Sequence, residues 1–173
     1  MNKSAFVIIQ IGDPKLDEVY TNIISPTLKK AGYEPKRVDK HNDGELLNNK
    51  IIELITDADL IIADLTNERP NCYLEVGYAM GAGKNRNLIL TAREDHYNRS
   101  PNYSSNGPRV HFDLEGYDIL FWSPDKMNEF SEQLLTRIRR RAKILQPESP
   151  KERDKEWFLE NRKKAMEGLK RNE

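Results

Sequence analysis

The sequence holds one cysteine, Cys72, in 173 residues. A lone cysteine rules out an internal disulfide framework and suits a reducing compartment. Net charge is missing too, because 28 basic residues meet 28 acidic ones. No global field therefore draws the chain to nucleic acid or to an anionic membrane. No apolar run approaches the ~18 residues of a membrane span. The first residues show no signal-peptide pattern. These absences set the expectation of a cytoplasmic protein without nucleic acid or membrane among its partners. The three histidines, His41, His96 and His111, are scattered without ligand spacing. No metal and no cofactor is expected from such a set.

What is present is an alternation of strand and helix signals. Phe6 to Ile11 is a continuous apolar run, as in a strand buried on both faces. Leu16, Val19, Tyr20, Ile23, Ile24 and Leu28 recur at helical spacing, and Gly32 stops that helix. Tyr33 to Val38 reads as a second strand, and Leu46, Leu47, Ile51, Leu54 and Ile55 as a second helical stripe. Leu60 to Ala63 is a third strand, Asn71 to Gly83 a third helix, and Asn87 to Thr91 a fourth strand. From Glu94 to Val110 the chain is polar and broken by prolines, a long connection of the kind that is usually functional or mobile. Tyr117 to Phe121 is the fifth strand, and Met127, Phe130, Leu134, Ile138, Ala142 and Leu145 mark an amphipathic helix. The run from Arg137 to Arg141 on that helix reads as a solvated face, since no aromatic platform interleaves it.

The alternation predicts an α/β domain over residues 1–146, with a mainly parallel sheet and right-handed crossovers. Pro147-Glu148-Ser149-Pro150 starts a charged C-terminal tail, 147–173, whose Trp157, Phe158, Ala165, Met166 and Leu169 suit a helix. That helix would pack on its own domain or a second subunit, or remain solvated. Five strands suggest the flavodoxin-like, doubly wound order 2-1-3-4-5, which opens a crevice at the carboxyl ends of strands 1 and 3. Gln10, Gly12 and Asp13 would line one side of that crevice. Asp64, Thr66, Asn67 and the start of the third helix would line the other.

Glu75 stands out on that third helix. With Asn71 as N-cap, it would lie near the end of the first turn and lean toward the crevice. A first-turn carboxylate gains ~0.3–1 kcal/mol from the helix dipole and needs no other purpose. Its neighbours Tyr73, Leu74, Val76, Tyr78, Ala79 and Met80 are apolar, however, which predicts a partly buried carboxylate. Such a group is costly unless paired or used. Both readings stay open at this point.

The stretch Ala58-Asp59-Leu60-Ile61-Ile62-Ala63-Asp64-Leu65-Thr66, followed by Asn71 to Ala79, resembles the nucleoside 2-deoxyribosyltransferase superfamily and its TIR-like, N-glycosidase-related branch. Leu74-Glu75-Val76-Gly77-Tyr78-Ala79 is the specific block. Weaker likeness extends over about residues 5 to 145, including Phe112 to Tyr117. The resemblance implies cleavage or transfer at the N-glycosidic bond of a nucleoside or nucleotide, with Glu75 as the nucleophile. It also implies a homo-oligomer, since sites in that family are often completed by a neighbouring subunit. Two other implied readings are a TIR-like NAD+ hydrolase and a catalytically silent nucleotide sensor or scaffold.

The family's second acid has no counterpart in register, where Ile51 stands between Asn49 and Glu53. Asp64 is the candidate proton donor, against the alternative that it caps the Thr66–Asn67 turn. Gln10, Gly12, Asp13, Thr66, Asn67, Asn71 and Tyr78 are the candidate substrate-binding residues. Gly12 stands without a glycine cluster, so any phosphate would fall to Arg37 or Arg93. His111 could approach the site from the long connection. Cys72 has no histidine placed to activate it, and packing as a small hydrophobe is its favoured role.

Overall fold

The computed structural model describes residues 3–38, 47–111, 114 and 116–145. The expected tail helix, and with it the boundary at 146, lies outside them. Five strands, β1 (Lys3–Ile8), β2 (Tyr33–Lys36), β3 (Leu60–Asp64), β4 (Leu88–Arg93) and β5 (Ile119–Trp122), form one sheet in the order β2-β1-β3-β4-β5. Every pairing is parallel, with Val7 beside Ile62, Ile62 beside Ile89 and Leu90 beside Ile119. This is the flavodoxin-like arrangement that the alternation predicts. All five residues of β3 are buried, as the central strand of a parallel sheet covered on both faces requires.

Alternate strand residues feed two cores. On one face Val7, Leu60, Ile62 and Ile89 pack with Leu16, Val19, Ile24 and Leu28, and with Phe130, Leu134 and Ile138 of the last helix. On the other, Phe6, Ile8, Ile61 and Ala63 pack with Ile55, Cys72, Val76 and Ala79. The helices on the first face are α1 (Pro14–Val19), α2 (Ser25–Lys30) and α5 (Met127–Leu145); those on the second are α3 (Leu47–Asp57) and α4 (Pro70–Gly81). Among the described residues no helix is long and apolar enough to cross a membrane.

Two local expectations are corrected. The first helix is not continuous: a π-helical turn, Tyr20–Ile24, separates α1 from α2. Pro26 lacks an N–H, and its ring would clash with the Asn22 carbonyl in a regular α-turn. The wider turn avoids this, closing instead through the Ser25 N–H to the Tyr20 carbonyl. The N-cap of α4 is Arg69, not Asn71, and no side chain caps it. Pro70 takes the first helical position, where its fixed φ is pre-organised and its missing N–H costs nothing. Glu75 therefore lies in the second turn.

Candidate active site

The carboxyl edge of the sheet is organised around Asn67. Its φ is +66°, and that of Glu68 is +52°. Two consecutive non-glycine residues in the left-handed region are sterically costly, and asparagine tolerates it better than glutamate. Surrounding contacts hold the turn in place. The Asn67 Nδ2 donates to Gln10 Oε1 at 3.0 Å and to Asp13 Oδ2 at 3.1 Å. Its backbone N–H donates to His96 Nε2 at 3.0 Å. Asp13 also caps α1, with Oδ1 accepting from the backbone N–H groups of Lys15 and Leu16. Gly12 has φ +80°, which lets the chain reverse between β1 and that cap. Gln10, Gly12, Asp13 and Asn67 thus come together at the switch point, joined across it by one amide.

Thr66 is buried and turned the other way. Its Oγ1 accepts from the Arg93 N–H at 2.9 Å, at the end of β4. Asp64 is 0% exposed. Its Oδ1 accepts from the Thr66 N–H at 3.0 Å, and Oδ2 accepts from Thr91 Oγ1 at 2.7 Å and from Trp122 Nε1 at 2.8 Å. Both oxygens are occupied as acceptors, so this carboxylate caps the turn and ties three strands together. Neither oxygen faces solvent, from which a substrate would come.

Glu75 is half-buried and makes no hydrogen bond or ion pair with any described residue. Burial pushes its carboxyl up from 4.5 to about 7. Its second-turn position removes most of the dipole benefit, which fades within the first turn. One turn earlier, Cys72 is buried, and burial above all, with the charges of Glu75 and Asp64, pushes its thiol up to about 12. The helix is less apolar around Glu75 than the composition suggests: Leu74 is 75% exposed and Tyr78 39%. Asn71 is exposed as well, and no hydrogen bond links it or Tyr78 to the Gln10–Asp13–Asn67 cluster.

The two arginines considered for phosphate are engaged. Arg37 pairs with Asp17 at 2.7 Å and lies over the Tyr20 ring, while Arg93 Nε donates to Asp95 at 2.7 Å. Arg93 also lines a cavity of about 750 Å³ on the α1/α5 side, with Lys15, Asn22, Trp122 and Met127. A second cavity of about 620 Å³ opens at the amino end of α4 beside Asn67, Glu68, Tyr73 and His111. Glu75 lines neither.

His111 does reach α4 from the long connection, and its Nε2 lies 2.6 Å from Glu68 Oε1. Sequence reasoning missed Glu68, Asp95 and His96. His96 is 2% exposed, with Nδ1 at 2.6 Å from Asp95 Oδ1. Burial alone would raise the Asp95 carboxyl, but hydrogen bonds from Arg93 and His96 outweigh it and hold it below the ordinary range. The available signal was the strand end followed at once by Arg93-Glu94-Asp95-His96, a charged run at the edge where α/β sites form.

No protein-family model matches the chain, and comparison with curated proteins gives no match. Solved structures do share its architecture. A 2-desoxiribosyltransferase from Leishmania mexicana is 22% identical, covers 74% of this chain and 95% of its own, and superposes with a TM-score of 0.51. A prokaryotic SEFIR domain is 14% identical, over 79% of this chain and 92% of its own, with a TM-score of 0.53. A CMP N-glycosidase, BcmB, from Clostridium botulinum is 19% identical over 76% of this chain and 99% of its own, at a TM-score of 0.49. The chain is a flavodoxin-like, doubly wound α/β protein. Its fold is the one shared by the first two of these structures, as the resemblance read from Ala58 to Ala79 implied.

Proposed function

We propose that the protein cleaves, or transfers the sugar of, the N-glycosidic bond of a nucleoside or nucleotide, with Glu75 as the nucleophile. The observation that carries this reading is the state of Glu75: half-buried, without a partner among the described residues, and pushed up to about 7. A structural carboxylate in such a place would be paired. Perturbed carboxylates of this kind gather at functional sites. Likeness in fold to a 2-desoxiribosyltransferase supports the same chemistry.

As the bond to the base breaks, the electron pair leaves with the base nitrogen and the sugar becomes oxocarbenium-like. A poorly solvated carboxylate stabilises that developing cation more than it stabilises the neutral ground state. Glu75 then bonds the anomeric carbon, and water or a second base displaces it. Gln10, Asp13 and Asn67 supply an amide, a carboxylate and a second amide suited to sugar hydroxyls, and the backbone at Gly12 lets a ligand come close. Asn71 and Tyr78 are available on the exposed side of α4 for the remainder of the substrate.

Incubating wild type and Glu75→Gln with nucleosides, 5'-monophosphates and NAD+ tests the reading, with released base followed by chromatography. Base released by wild type and lost in Glu75→Gln is the expected result. Undiminished release from the variant would remove Glu75 from the nucleophile's role. Free nicotinamide from NAD+ alone would move the substrate class, and binding without turnover would make the protein a sensor.

A further inference from the structure

The connection between β4 and β5 closes on itself. The Val110 N–H donates to the His96 carbonyl at 3.0 Å, so His96 and Val110 form the neck of a loop whose body runs between them. Compact loops with closed necks of this kind are frequently functional. Both sides of the neck fasten to the β3–α4 turn, and they take its two left-handed residues in order. His96 Nε2 accepts from the Asn67 N–H at 3.0 Å. On the other side, His111 Nε2 lies 2.6 Å from Glu68 Oε1, and the Arg109 N–H donates to Glu68 Oε2 at 3.3 Å. Tyr73 seals that side, accepting from the His111 N–H at 3.2 Å with its ring edge-on to the imidazole.

The two histidines do opposite things on protonation. An imidazole nitrogen that accepts from an N–H carries no proton, so the bond from Asn67 requires the His96 tautomer that holds its proton on Nδ1, facing Asp95. A proton added at Nε2 turns that acceptor into a donor facing the Asn67 N–H. His111 loses nothing, because its cationic form pairs better with Glu68. The groups around His96 that bear on this are Asp95, Arg93 behind it, and Asp13, which shares the Asn67 amide with Gln10.

We propose that this neck is an acid-released strap. His96 is the release and the Glu68–His111–Tyr73 group is the hinge that stays fastened. Acid frees Asn67 from the left-handed conformation and with it the amide that spans the gap between β1 and β3. Strained residues that persist only while their surroundings over-determine them are the ones such a change sets loose.

The test is a nuclear magnetic resonance titration of ¹⁵N-labelled protein between pH 8 and pH 5. We expect the His96 ring to show the Nδ1–H tautomer at pH 8. The Asn67 amide should then shift with the same midpoint as the ring, its hydrogen exchange rising at least about tenfold beyond the intrinsic change. In His96→Gln the Oε1 still accepts but does not titrate, so the Asn67 transition should vanish. Glu68→Gln should loosen the Arg109–His111 amides at every pH and leave the His96 midpoint in place. An Asn67 amide that stays fixed while His96 titrates, or a ring that carries its proton on Nε2, would overturn the proposal. So would a ring that never titrates before the protein unfolds. The wild-type titration decides the matter even if His96→Gln fails to fold.

Discussion

Trp122 Nε1 donates to Asp64 Oδ2 across 2.8 Å, joining β5 to β3 over the intervening β4. The same oxygen takes the Thr91 hydroxyl from β4, so one buried carboxylate gathers three strand ends. That bond explains why an acid sits, fully buried, at the end of the central strand. It also gives Asp64 a purpose that needs no substrate.

If Asp64 is such a pin, its removal should unfold rather than merely inactivate. Asp64→Ala leaves three buried donors without an acceptor, and we expect a loss of roughly 3–5 kcal/mol. Asp64→Asn, which keeps one acceptor oxygen, should fall between the variant and wild type. Urea unfolding followed by tryptophan fluorescence measures both. A wild-type midpoint for Asp64→Ala would dismiss the structural role.

Glu75 should cost stability in a pH-dependent way. Its folded carboxyl is raised from 4.5 to about 7, so the folded state holds the proton more tightly than the unfolded chain. Stability is then undiminished below about 4.5 and declines as pH rises to about 7, remaining low beyond it. Glu75→Gln removes that decline. After allowing for solvent screening, we expect the variant to be more stable than wild type at pH 8 by on the order of 1–2 kcal/mol. The gap should shrink strongly at pH 5. Equal gaps at the two pH values, in denaturant titrations, would mean that the carboxyl is not desolvated.

The left-handed turn can be read by two substitutions at Asn67. Asn67→Gly keeps the backbone conformation and loses the amide that meets Gln10 and Asp13. Asn67→Ala loses the amide and adds strain, since φ +66° suits few residues with a Cβ. We expect Asn67→Ala to be the less stable of the two by about 1 kcal/mol, the reverse of their order in a helix. Thermal unfolding of both variants decides it.

Cys72 should be inert. It is buried, and its thiol is pushed up to about 12. Thiol reagents act on the thiolate, so labelling at pH 7.5 should be negligible in the folded protein and complete in denaturant. Rapid labelling of the native protein, seen as a mass increase, would contradict this environment.

Much of the architecture was legible because parallel sheets write themselves locally. Apolar runs such as Leu60 to Ala63 mark strands covered on both faces, and helical stripes between them force parallel crossovers. The partial burial of Glu75 was legible too, from its apolar neighbours. The errors were equally local. Pro26 split a helix whose periodicity looks unbroken, and Pro70 took the first helical position, which makes Arg69 rather than Asn71 the N-cap.

What the amino-acid order determined by itself was therefore the alternation, the flavodoxin-like strand order, and the placing of Gln10, Asp13 and Asn67 at one edge. Periodicity and chirality act over a few residues, and they suffice for that much. Only the tertiary structure decided which side chains meet there. Asn67 reaches Gln10 and Asp13 across separations of 57 and 54 residues, and Trp122 reaches Asp64 across 58. His96 and His111, scattered in the sequence, become the two fastenings of one turn. Hydrogen bonds of this kind depend on where strands end in space, and spacing along the chain carries no record of it.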